Sequence, residues 1–289
     1  MRYSMLAVVL SAIMFFSFGV NSPGVVFEIE TTYHSGTEPR VESAEMSVEG
    51  EMLKMEILPG EDSDGNTGVR DEAIFRGDRK EMIYVDHERK SYMVMDKEAL
   101  RAISSQIGNV QSEMEDVLKN LPEDVKKQMQ EAMAKGGNMP GAGPMAPPPI
   151  QRDYKKTGQR GTKEGYPCVR YDVFNQRGAK VQELWVTDWD NITGGGEARD
   201  AFAGMVEFLE EMIDSFSKMG PGGNNPMGDF DSIYEELKEI DGFPVVTREF
   251  GEDGDLDSES VLRSARHRTL DPADFEPPSG YKRQSMGGF

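Results

Sequence analysis

Apolar and polar residues alternate one by one through much of the first hundred positions, as in strands with one buried face. At 25–33, Phe27, Ile29, Thr31 and Tyr33 alternate with Val26, Glu28, Glu30 and Thr32. Segments 40–48 and 52–58 continue the pattern and are joined by Glu49-Gly50, a tight-turn pair, before a polar loop at 60–68. Short strands are predicted at 72–75, 81–85 and 91–95, separated by Gly77-Asp78 and by 86–90. Such spacing suits an antiparallel meander of hairpins and leaves no room for crossover helices.

The period then changes. Leu100, Ile103, Ile107, Val110, Met114 and Val117 step by three or four residues onto one helical stripe, with Asp96 placed to cap it. Val125, Met129 and Met133 predict a weaker helix over 122–134. Residues 136–149, rich in glycine and ending in three prolines, read as a flexible or extended linker.

Strands resume at 152–157, 168–174 and 180–188, with a turn at 176–178. In the third, Gln182, Leu184, Val186 and Asp188 face opposite to Val181, Glu183, Trp185 and Thr187. Gly194-Gly195-Gly196 then opens a strong helix near 198–219 with the stripe Phe202, Met205, Leu209, Met212 and Phe216. A second linker at 220–228 and a short helix at 230–240 precede two last strands, 243–250 and 256–270, around the acidic turn 252–255. Strands followed by a helix occur in both halves, without a residue-level repeat.

The N-terminus carries an address. Arg2 precedes an apolar run over 5–20, shorter than the roughly 20 residues needed to cross a bilayer as a helix. This reads as a secretory signal peptide over 1–19, with small residues Ser17 and Gly19 before the cut; the latest reasonable cut is at residue 24. No cysteine follows that run to take a lipid anchor. Residues 20–289 are therefore expected as one soluble, exported domain, periplasmic or secreted. The single cysteine, Cys168, excludes an intramolecular disulfide and reads as a half-buried strand thiol.

Charge narrows the partners. Against 32 Lys and Arg stand 52 Asp and Glu, a net charge of −20, which argues against nucleic acid and against anionic lipid headgroups. The three histidines share no metal-ligand spacing. Asp253, Asp255 and Asp257 begin like a calcium loop, but Ser258 and Ser264 stand where glycine and glutamate are needed. The glycine triplet lacks the residues of a phosphate loop, and no nucleophile–base pair stands out. Nineteen methionines mostly replace leucine on stripes or lie in linkers, as flexible hydrophobes rather than copper ligands. No metal, no cofactor and no enzyme activity are expected.

Four segments, MIYVDHERKSYMVM at 82–95, GYPCVRYDV at 165–173, LWVTDW at 184–189 and DPADFEPPSGY at 271–281, resemble an exported bacterial family of unknown function. That family is similar in fold to the periplasmic lipoprotein carriers LolA and LolB. The resemblance implies an α+β fold: a strongly curved antiparallel sheet, an open half-barrel, with amphipathic helices packed in its concave face. It attaches no catalytic or ligand-contacting residues. Two readings follow for a non-catalytic protein. One is a binding protein that holds an apolar, acyl-chain or lipid-like ligand between sheet and helices, contacting Phe27, Ile29, Ile103, Ile107, Met205, Leu209 and Met212. The other is a cell-envelope interaction module in which those side chains touch one another in a filled core and a partner protein meets the surface.

Overall fold

The computed structural model describes residues 23–34, 38–58, 71–102, 105, 152–217, 236 and 238–285. The predicted signal segment, both linkers, and Ile103 and Ile107 lie outside the described residues.

Twelve strands form one sheet: β1 Pro23–Tyr33, β2 Arg40–Glu49, β3 Met52–Leu58, β4 Asp71–Arg76, β5 Glu81–Asp86, β6 Ser91–Met95, β7 Arg152–Lys163, β8 Tyr166–Asn175, β9 Lys180–Thr187, β10 Phe243–Phe250, β11 Leu256–Thr269 and β12 Lys282–Gln284. The spatial order is β12-β6-β5-β4-β3-β2-β1-β11-β10-β9-β8-β7, so the sheet is open. One meander runs outward from β1 to β6. A second runs inward from β7 to β11, and the two are welded by the antiparallel β1–β11 pair. The first and last long strands thus lie at the centre of the sheet. The hairpins are short because their turns suit tight reversal: between β7 and β8, Glu164 (φ 47°) and Gly165 (φ 86°) both occupy the left-handed region that a two-residue loop requires.

Alternation sends opposite sides of each strand to different surroundings. On one face, Val25, Phe27, Met46, Val48, Leu53, Phe75 and Met82 are buried beneath α1, the helix Gly195–Ser217. The helix presents Ala198, Ala201, Met205, Phe208, Leu209 and Met212, and Phe208 meets Phe75 with ring centroids 5.6 Å apart. On the other face, Val26, Ile74, Ile83, Val85 and Val94 are covered by Leu270 and Phe275 of the chain's last stretch. There a 3₁₀ turn, Pro272–Phe275, is held by a capping box between Asp271 and Asp274. Five methionines, Met46, Met82, Met95, Met205 and Met212, are packed into the helix-side core as apolar side chains.

Three features depart from expectation. Strand β7 runs to Lys163 instead of ending at 157, with a register shift between Lys156 and Arg160. It is an edge strand whose side chains beyond Tyr154 mostly stay in water, so no hydrophobic alternation marks that part. Strand β12 pairs parallel to β6, the one parallel pair among the described residues; with three exposed residues it too has no apolar signature. The glycine triplet is more constrained than a flexible helix start. Gly194 has φ 70°, and a Cβ there would lie 2.5 Å from the Cβ of Val25, while one on Gly195 would collide with the carbonyl of Trp189.

Candidate functional site

The residues expected to meet a ligand are only partly in reach of one. Phe27, Leu209, Met212 and Met205 all join the helix-side core, at 0%, 1%, 1% and 8% exposure, and Ile29 packs against it. Phe27 stacks on Phe243 with centroids 5.0 Å apart. Among these five, Ile29 is the one that lines an open surface. Between helix and sheet the side chains touch one another.

That surface is a half-open groove of about 410 Å³ beside the helix. Strand register builds it. Ile29 lies between Ala44 and Leu262, and Thr31 between Glu42 and Ser260, which carries the groove face from β2 across β1 to β11. Thr247 pairs with Ser260, and Gln182 with Glu249, which continues it over β10 to β9. Met55 and Ile57 of β3 extend the other side. Six adjacent strands therefore contribute to one depression. Trp189 and Phe202 wall it on the helix side, 5.8 Å between centroids, and Trp189 meets Phe243 edge to face at 5.7 Å. Two further depressions adjoin it, one of about 370 Å³ sharing Trp189 and Phe202 and one of about 500 Å³ sharing Met55 and Ile57.

One end of the groove is polar. Gln182 is 3% exposed, and its Nε2 donates to Oε2 of Glu236 at 3.2 Å while its Oε1 has no partner. Burial pushes the Glu236 carboxyl above the usual carboxylate range, and Glu249 adds to this; the Gln182 hydrogen bond and Arg152 act the other way. Glu42 is buried and is paired by Arg40 at 2.5 Å. Exposed Glu249 stands at the rim. Among the described residues, no Lys, Arg or His lines this groove.

On the opposite face of the same strands several carboxylates are neutralised by a basic neighbour. Glu30 holds Arg263 at 2.6 Å, Glu45 holds Arg268 at 2.8 Å, and Glu28 holds Arg266 at 2.5 Å. Glu183 accepts from Trp185 at 3.1 Å and from Arg248 at 3.2 Å, and Lys180 lies 3.1 Å away. Cys168 belongs to the core at 3% exposure, and burial raises its thiol pKa, which suits a structural residue more than a reactive one.

Sequence reasoning found Ile29 and the aromatic stripe position Phe202, but not Trp189, Phe243 or the polar end as parts of one site. Gln182 carried a usable signal: alternation sets it on the same face as Leu184 and Val186. Glu236 carried none, being off the apolar stripe of its predicted helix.

No protein-family model and no curated protein matches the chain. Among solved structures it is similar to an uncharacterised conserved protein from Thermus thermophilus, at 8% identity, with 91% of each chain covered and a TM-score of 0.41. A LolA superfamily protein from Nitrosomonas europaea gives 8% identity, 90% of this chain and 91% of the other covered, and a TM-score of 0.31. The MucB of Pseudomonas aeruginosa, solved with MucA, gives 9% identity and a TM-score of 0.32; this chain covers 57% of its length, with 89% of this chain aligned. The neighbours thus include a protein of the LolA superfamily, whose fold the sequence resemblance implies.

Proposed function

We propose that this protein is an exported, non-catalytic binding protein that holds an apolar, acyl-chain-like ligand in the groove beside α1. In this reading residues 1–19 are removed on export, residues 20–289 form one domain, and the sheet curves as a half-barrel with the groove on its concave side. The groove itself carries the reading. Its volume exceeds the roughly 300 Å³ at which small-molecule pockets begin, and apolar and aromatic side chains make up the larger part of its walls. Ile29 contacts the ligand, while Phe27, Met205, Leu209 and Met212 stiffen the wall behind it; Ile103 and Ile107 belong to the helix stripe predicted to close the site. Among the described residues no helix is long and apolar enough to cross a membrane.

Organic extraction of the purified mature protein, followed by mass spectrometry, tests this directly. An apolar compound should be recovered from the wild type, and Ile29→Trp, which fills the groove, should lose it while unfolding at a similar temperature. If nothing apolar co-purifies and fluorescent fatty-acid probes fail to bind at micromolar concentration, the binding reading falls. A second reading has its own support: the direct packing of Phe27, Leu209 and Met212 is that of a filled core. In that case the protein is an envelope interaction module, and its acidic surface meets another protein.

A further inference from the structure

The groove is one-sided in its polar chemistry, and this bears on what its occupant carries besides an apolar chain. Gln182 is almost wholly buried and its Nε2 donates to Glu236 Oε2; with Glu236 ionised, the amide turned over would set its carbonyl against the carboxylate. Gln182 lines the groove, and its Oε1 is a buried acceptor with no donor. Beside it are two further acceptors. Glu236 and Glu249 form no ion pair with any described Lys, Arg or His. Arg152 of β7 acts on Glu236 electrostatically without lining the groove. Arg199 and Lys238 line the adjoining depression with exposed side chains, and Arg199 lies 3.5 Å from Asp200. Glu42 has Arg40 and needs nothing more. The aromatic faces of Trp189, Phe202 and Phe243 complete the setting, and aromatic faces attract cations.

Resting on the binding reading above, we propose that the groove takes an amphiphile whose apolar chain ends in an ammonium-type cation, held by Gln182 Oε1, Glu236 and Glu249 against the aromatic wall. An ammonium offers three donors and no acceptor, the complement of this end. A carboxylate headgroup would meet like charge from Glu236 and Glu249 there. Among the described residues outside the groove, Glu28, Glu30, Glu45, Glu183 and Glu259 are each matched by arginine or lysine, whereas Glu49 of β2 is not.

Calorimetric titration of the full mature protein with dodecylammonium and with dodecanoate, at pH 7.5 in about 150 mM salt and below micelle formation, tests this. The ammonium should bind at least about tenfold more tightly, the scale of one charge-assisted contact in a shielded site. In E236Q/E249Q the ratio should fall to near one. In E88Q/E252Q, which removes the same charge from exposed positions, it should stay as in the wild type. Gln182→Leu, which removes the unpartnered acceptor and leaves both carboxylates, should lower the ratio as well and serves if the first double variant does not fold. Equal or tighter binding of dodecanoate, or an equal fall of the ratio in E88Q/E252Q, overturns the headgroup assignment and leaves apolar binding standing. Binding of neither compound overturns both.

Discussion

Phe275→Ala tests how the last stretch of chain fastens to the sheet. Phe275 is fully buried, in contact with the apolar group of Val26, Ile74, Ile83, Val85 and Leu270. Its carbonyl accepts from Arg76 Nη1 at 3.2 Å, and the next residue, Glu276, is ion-paired with both Arg76 and Arg79. Removing a buried ring forfeits its transfer free energy and leaves a cavity costing about 24 cal/mol per Å³ where neighbours do not close in. The substitution should therefore cost about 3 kcal/mol, the lower end of the usual range of about 3–5, since a terminal segment can settle into the gap. The Arg76 contacts are to the backbone and to Glu276 and persist, so the segment should loosen without leaving. At roughly 2–4 °C per kcal/mol, the melting temperature should drop by about 6–12 °C. Urea unfolding followed by circular dichroism gives the free energy, and amide exchange gives the location: protection should fall first in β4 and β5, beneath the ring. A cost under about 1 kcal/mol, with β4 and β5 as protected as before, would show that the segment does not close this face.

Three further outcomes are expected. Gly194→Ala should destabilise by more than about 1 kcal/mol, since φ is 70° and Val25 occupies the space, whereas Gly196→Ala has open space and should be neutral or gain about 0.4–1 kcal/mol; thermal melts compare them. Cys168, buried and with its thiol pKa raised by desolvation, should react with a disulfide reagent only slowly until the protein is unfolded in guanidinium, and rapid labelling of the native state would contradict its placement. Burial raises the folded-state pKa of Glu236, so its contribution to stability is complete below the unfolded value of about 4.3 and is lost as pH rises through the folded value; Glu236→Gln should therefore gain stability relative to wild type between about pH 4 and pH 8, a trend that melts across that range would show or refute.

The strands that enclose the core could be read from the chain because burial on one side leaves a period of two. In β1 the alternation of Phe27 and Ile29 with Glu28 and Glu30 gave the correct face, and in α1 the stripe from Phe202 to Met212 gave the side that packs. Strands without a buried side left no such trace. The outer half of β7 and the three residues of β12 are held by backbone pairing, to which side-chain pattern is blind. The covering of the second face was similarly silent. Val26 departs from the alternation, being fully buried on the face that carries Glu28 and Glu30, and the reason is Phe275, nearly 250 residues away in sequence and carried by a turn too short to have a period.

The groove was harder still, because it depends on strand order and on one irregularity. A regular strand gives one face only every second residue, yet Phe243, Pro244 and Val245 all border the groove. The register shift between Pro244 and Val246 permits this, and a bulge has no dependable sequence mark. Gln182 could be assigned to the buried side of β9 from alternation alone, but whether a buried glutamine is satisfied depends on what faces it. Here that is Glu236, brought in by the chain just before it enters β10. The pairing satisfies the amide nitrogen and leaves the oxygen open. A sequence supplies the donors and acceptors; only register and turn geometry decide which of them remain unpaired, and those unpaired atoms are what distinguish a groove that selects its ligand from one that merely has room for it.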